Sequence, residues 1–299
     1  MIDRFGGVEA VKGHGAMVAF SVLVAGSFTL GHLTANLMDP VAYMALRFAL
    51  AAAILGVIGM ATGAIRLSDA RAPWRWLVLG AVFGSYFALM FEGLKTAMPV
   101  SASAVFTLVP MMTAIFAWLL LRQVTTRRIA LALAVGAVGA LWVIFEGDPA
   151  RLAAFQIGRG EAVYFIGCVS HAVYVPLMRK FSRGESAISA SFWVLAAGFV
   201  VLAAYSFRDL VTTDLGAMPP IFWIALAYLA IGASAMTFVL LNFASMRLPG
   251  AKVMAYTYLT PGWVILWELA FGHGLPGLWT LLGLVITAIA ILMLLKHEG

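Results

Sequence analysis

Apolar residues run along this chain in long unbroken blocks separated by short polar connections, with no period-two alternation. Ten blocks approach the ~20 residues at which a helix rising 1.5 Å per residue crosses a ~30 Å hydrocarbon core: 15–34, 40–62, 74–96, 99–121, 128–145, 160–182, 187–207, 219–241, 250–272 and 275–296. The pattern predicts ten membrane-spanning helices. A closed β-barrel, the other way to satisfy backbone groups in lipid, would show short alternating segments instead. The first block is flanked by Asp3, Arg4, Glu9 and Lys12 and ends in no small-residue cleavage site, so it reads as a helix and not as a signal peptide.

Composition supports the pattern. Of 299 residues, 63% are hydrophobic and only 11% are charged, and the mean hydropathy is +1.00. Soluble domains carry ~25% charged residues, so a soluble enzyme or a disordered chain is excluded. The net charge of +6 acquires meaning only by location. With the N-terminus inside, the inner segments hold 14 of the 19 Lys and Arg residues and the outer segments hold Lys95, Arg151, Arg159 and Arg208. The remaining one, Arg47, lies within a helix. This asymmetry places both termini in the cytoplasm and accounts for the basic charge without a nucleic-acid partner. The single cysteine, Cys168, excludes an internal disulfide. No connection is long enough for a soluble domain, so any chemistry lies in the helical bundle or at its mouths.

The chain also shows a duplication. Pro99, Pro110, a basic turn from Arg122 to Arg128 and a helix with Gly136 and Gly139 are answered by Pro249, Pro261, a turn from Gly272 to Gly277 and a helix with Gly283. Pro110 and Pro261 stand 151 residues apart, about half the chain. Five helices per half is an odd number, so the second half enters the membrane with opposite orientation, an inverted repeat suited to alternating access. The run from Tyr86 to Ala97 (YFALMFEGLKTA), followed by Val109-Pro110 and the Gly136/Gly139 helix, resembles the EamA repeat of the drug/metabolite transporter superfamily. Its second copy is similar: Ala172-Val173-Tyr174 with Arg179, Tyr228 to Gly232, and Leu259-Thr260-Pro261. Pro40 with Arg47-Phe48 resembles the first repeat.

The resemblance implies an all-α membrane protein of two inverted five-helix EamA repeats, 1–147 and 148–299. It further implies a central cavity lined by helices 1, 3, 4, 6, 8 and 9, with helices 5 and 10 peripheral. Within the superfamily, size and aromatic content look most like the aromatic amino-acid exporters of the YddG type. That implies a multi-pass exporter of amino acids in the bacterial inner membrane; a broader drug, metabolite or nucleoside exporter is the alternative. A duplicated chain already contains both halves, so a monomer is expected. The family's Gly-Glu pair after helices 4 and 9 is replaced here by Arg122-Gln123 and Gly272-His273, so no role of that Glu transfers.

Ionisable residues placed in the hydrocarbon region, away from the extreme ends of the blocks, are few: Arg47, Glu92, His171 and Glu268. Such residues are costly in lipid and are functional candidates by default. Arg47 could take a substrate carboxylate through its planar fork, or snorkel outward or pair with Glu92. Arg47, Glu92 and Glu268 are candidates for coupling or gating; for the two carboxylates the alternative is an interfacial residue or a fixed ion pair. His171 shares a helical stripe with Gly167, Tyr174 and Met178 and either faces a cavity or packs between helices. Pro110 and Pro261 each remove a helical hydrogen bond near mid-membrane, next to Ser103, Thr107, Thr257 and Thr260. Such breaks mark a transporter's site, or else the hydroxyls bond back to their own helix. Tyr86, Tyr174, Tyr256, Tyr258, Trp263 and Trp267 lie deep enough to edge an apolar cavity. The expected substrate site is Tyr86, Ser103, Thr107, Pro110, His171, Tyr174, Thr257, Tyr258, Pro261 and Trp267. No cofactor or metal set is expected, an enzyme would need clustered reactive groups, a channel would need charge rings or a carbonyl filter, and no phosphate loop offers ATP.

Overall fold

The structure is a computed structural model that describes residues 8–154, 156–245, 247–248 and 250–295. It is all-helical: α1 (Val8–Thr34), α2 (Pro40–Ala61), α3 (Pro73–Leu94), α4 (Pro99–Phe106 and Val109–Leu121), α5 (Arg127–Ile144), α6 (Arg159–Phe181) and α7 (Ala187–Tyr205). These are followed by α8 (Pro220–Ala230, a π turn Ile231–Met236, and Thr237–Ser245), α9 (Gly250–Ala255, a 3-10 turn Tyr256–Leu259, and Thr260–Ala270) and α10 (Leu278–Leu295). Among the described residues nine helices are long and apolar enough to cross a membrane. The tenth expected block is α9, which is broken into three consecutive pieces and contributes none of the nine.

Local chemistry sets the boundaries. Prolines open α2, α3, α4 and α8 at positions where the missing N–H costs nothing. Asp39 caps α2 by accepting from the amides of Val41 and Ala42, both at 2.9 Å. α1 starts seven residues before the apolar block, because Glu9 pairs with Lys12 one turn on and with Arg247 across the helix ends. The α4 break falls at Thr107 and Leu108, whose amides bond the i−3 carbonyls of Ala104 and Val105, just before Pro110. The 3-10 turn before Pro261 repeats this in the second half. Pro249, Arg4 and Lys296 lie outside the described residues.

Contacts between helix ends fix their alternation. At the end where α1 begins (the near end), His14 meets Tyr256, Arg128 donates to Met293 O, and Arg179 donates to Gln123 Oε1 at 2.9 Å. Arg75 and Glu185 form a buried ion pair there. At the opposite, far end His32 meets Leu94 O, and Trp142 donates to Trp279 O. Glycines set the closest crossings. A Cβ on Gly80 would stand 2.8 Å from Gly198 Cα, and one on Gly139 would stand 2.8 Å from Gly283 O, so α3 packs on α7 and α5 on α10 nearly backbone to backbone.

The family pair's two replacements occupy equivalent places. Arg122 ends α4 with φ 56 and Gly272 follows α9 with φ 82. Both are left-handed C-terminal positions that suit glycine. Gln123 and His273 come next, bonded respectively to Arg179 and to Glu268.

Candidate functional site

Along α3, Phe83, Tyr86, Phe87 and Met90 recur at i, i+3, i+4 and i+7, one helical face, and all four line a central cavity of about 180 Å³. α1 contributes Phe20, Val24, Ser27 and Phe28; α4 gives Phe106; α6 gives His171, Tyr174 and Val175. The second half adds to α6 the π turn of α8 and the helix after it, from Ala233 and Ser234 to Leu241. Phe20, Phe238 and Leu241 place the lower part of the cavity towards the near end. Above it, Tyr43 stacks on Phe91 at 5.1 Å and meets Phe222 edge-on at 5.0 Å. That aromatic plug joins α2, α3 and α8 and closes the far end.

Aromatic rings form most of the box. Phe83 stacks on Tyr174 at 4.4 Å, and the His171 ring stands edge-on to Tyr86 at 4.6 Å. Tyr86 and Tyr164 share a hydroxyl contact of 3.1 Å. Nδ1 of His171 is buried with no hydrogen-bond partner among the described residues.

One charge enters this box. Arg47, on α2, is fully buried. Its Nε and Nη2 donate to Ser234 Oγ at 3.2 and 3.1 Å, and Nη2 also donates to Ala233 O at 3.3 Å. Ser234 accepts because its own hydroxyl proton is committed to Leu229 O, five residues back, a bond that follows the π register. The guanidinium lies 4.1 Å above the Phe87 ring, which stabilises it by cation–π attraction. Nη1 has no hydrogen-bond partner among the described residues, and no carboxylate is among the described lining residues.

Of the expected site residues, the structure brings Tyr86, His171 and Tyr174 to the cavity and adds Arg47. The others lie elsewhere. Ser103, Thr107 and Thr257 donate to the carbonyls of Val100, Ala104 and Met254, three residues back on their own helices. Pro110 faces a different cavity near α6. Pro261 is buried at the start of the last α9 piece. Tyr258 fills the space left by Gly136 on α5. Trp267 packs on Tyr228 at 5.6 Å and donates to Val22 O at 3.4 Å, while Trp263 donates to Ser21. These two indoles turn α9 into a seam with α1, so the cavity wall is completed by α2 and not by α9. The pairing of Arg47 with Glu92 does not form: Glu92 bonds Lys95 at 2.6 Å, one turn along its own helix end. Glu268 bonds His273 at 2.7 Å, away from the central cavity.

Sequence reading missed Ser234 and Ala233. Their only signal was the small-residue run Ile231-Gly232-Ala233-Ser234-Ala235, which does not announce a π turn. The same reading missed Phe83 and Phe87 as well, although their helical spacing from Tyr86 was a signal that could have found them.

A bundle of apolar helices of membrane-crossing length, with a small central cavity and a buried charge on its wall, defines the class of a membrane carrier. The sequence pattern of the EamA-like transporter family matches it twice, over residues 11–145 and 158–296. The chain belongs to that family. It is 28% identical over 280 residues, 92% of this chain and 91% of the other, to the uncharacterized transporter YyaM of Bacillus subtilis (strain 168). A solved structure described only as "Crystal structure of protein" shares the fold, with TM-score 0.66, 20% identity and 95% of each chain covered.

Proposed function

We propose that this transporter exports neutral amino acids, aromatic ones among them, across the bacterial inner membrane by alternating access. The observation that carries the reading is Arg47, a buried cation whose Nη1 has no hydrogen-bond partner among the described residues, on the wall of an aromatic cavity lined by no carboxylate. A substrate carboxylate would supply the missing counter-charge, and its apolar side chain would bury against Phe83, Tyr86 and Tyr174. The volume, about 180 Å³, is below the ~300–1,000 Å³ of drug-sized sites, which favours a small metabolite over the broader drug or nucleoside reading. Our reading takes α9 as the tenth crossing, the two halves as inverted repeats, the near end as cytoplasmic with both termini, and the monomer as the working unit. The conformation described is then closed outside by the Tyr43, Phe91 and Phe222 plug.

The test is counterflow of labelled phenylalanine in liposomes holding only this protein, with unlabelled amino acids, nucleosides and cationic drugs as competitors. Competition by amino acids alone is expected. Competition by nucleosides or cations, with amino acids inert, would move the substrate to the alternative class.

A further inference from the structure

The near end of the bundle carries two adjoining cavities that the central one does not use. The deeper, about 320 Å³, lies between α4, the turn that follows it, α5 and α6, and Pro110, Gln123, Thr126 and Arg179 are among its walls. The other, about 470 Å³, is an apolar groove along α4 and α5, walled by Met111, Ile115, Trp118 and Ala130. Ala114, Val124, Thr125 and Leu133 line both, so the two are continuous. Ile115 and Trp118 are half-exposed, so the groove opens on the outside of the bundle, where a membrane-spanning chain meets acyl chains. Along α4 it runs the ten residues from Met111 to Leu121, about 15 Å at 1.5 Å per residue.

Charge gathers at one end of this groove and has one sign. Arg179 is exposed, and its Nη1 donates to the neutral amide of Gln123 at 2.9 Å. Arg122 folds back over the groove wall, with its guanidinium carbon 5.8 Å from the centre of the Trp118 ring. Among the described residues neither arginine enters an ion pair, and neither cavity is lined by a carboxylate. α5 starts in the same turn, at Arg127, which adds the positive end of a helix dipole. The cavity beside the turn after α9, at the far end, has the opposite sign: Glu146, Glu161 and Glu268 line it, with no Lys or Arg. An apolar groove headed by cations is therefore a property of the near end and does not recur at the matching turn of the other half.

We propose that these joined cavities bind one anionic phospholipid, with its phosphate on Arg179 and Arg122 and an acyl chain laid along the groove between α4 and α5. Each half of the site needs the other. The planar guanidinium groups suit phosphate oxygens, and basic pockets between membrane helices take anionic headgroups. A soluble phosphate would meet the same charge but leave the apolar groove unfilled. A zwitterionic lipid would fill the groove, but its own ammonium offsets the charge that the two arginines recognise. The site is separate from the substrate cavity, so its occupant is tested without any substrate.

The test is a titration of the full chain in detergent with phosphatidylglycerol or phosphatidylcholine of identical chains, bound lipids being counted by native mass spectrometry. The first phosphatidylglycerol is expected to bind at least tenfold tighter than the first phosphatidylcholine. At about fivefold per basic side chain near a membrane surface, R122Q/R179Q should weaken that binding about 30-fold and abolish the preference. R66Q/R71Q removes two exposed arginines of the same end that line neither cavity and should bind as the native chain does. Equal binding of the two lipids, an unchanged preference in R122Q/R179Q, or an equal loss in R66Q/R71Q would overturn the proposal. So would displacement of the lipid by inorganic phosphate at the lipid's own concentration, which would mark a plain anion site. Melting curves of both double variants separate lost binding from a lost fold.

Discussion

Replacing Arg47 by Gln tests the anchor most directly. The native guanidinium spends Nε and Nη2 on Ser234 and Ala233 and leaves Nη1 without a hydrogen-bond partner among the described residues, beside a cavity lined almost wholly by apolar and aromatic groups. A hydrogen bond between charged partners contributes about 1.5–3 kcal/mol, so at ~1.4 kcal/mol per decade Arg47 should favour a carboxylate over its neutral amide by about 10- to 150-fold. Comparing phenylalanine with phenylalaninamide as displacers of labelled phenylalanine, in native protein and in R47Q, isolates that contribution. Any loosening of helix packing from the lost Ser234 bonds acts on both ligands and cancels in the ratio of ratios. R47K, which keeps the charge but not the planar fork, should fall between. An acid-to-amide ratio unchanged in R47Q refutes the assignment of Arg47 to the carboxylate.

Three further outcomes follow from contacts outside the cavity. Burial pushes the Glu185 carboxyl up, but the amides of Arg183 and of Glu185 itself and the Arg75 guanidinium outweigh it and hold it below its ordinary value. Its stabilisation is therefore present above the usual carboxylate range and lost as pH falls through the lowered value, so E185Q should flatten the acid limb of the melting-temperature profile and cost on the order of 3 kcal/mol at neutral pH. Arg122 bears a left-handed φ of 56 where Gly272 has 82 in the other half; melting curves should show R122G neutral to stabilising and G272A destabilising by about 1 kcal/mol. The Tyr258 hydroxyl is buried against Gly136 without a hydrogen-bond partner among the described residues, so Y258F should melt no lower than native and leave phenylalanine affinity unchanged, whereas lost affinity would return Tyr258 to the substrate site.

The fold was legible because lipid imposes few solutions. Unbroken apolar runs of helical length, prolines at helix starts and the repeated Pro and Gly spacing each have one physical reading. The site was legible only in part. Spacing identifies the faces of α3 and α6 that bring Tyr86, His171 and Tyr174 together. It cannot tell whether a hydroxyl beside a proline break is free or bonded back, and Ser103, Thr107 and Thr257 all bond back. Nor does spacing tell which side of a kinked helix meets a neighbour. Two indole N–H groups seeking acceptors on α1 turned α9 away from the cavity, and a change of helical register in α8 supplied the partner for Arg47.

That register change gives Arg47 a second consequence. α2 belongs to the first repeat and the π turn of α8 to the second, so the bonds from Arg47 to Ser234 and Ala233 pin the two halves together inside the cavity. A carboxylate that approaches Nη1 adds a partner without displacing the other two nitrogens, and so neutralises the pin rather than breaking it. An empty cavity leaves the cation without a counter-charge, stabilised only by Phe87 and two neutral acceptors. The occupied carrier is thus the electrostatically balanced one. On the proposed reading, binding at the repeat interface is then felt by both halves at once, because the guanidinium that joins them is also the one a substrate carboxylate would meet.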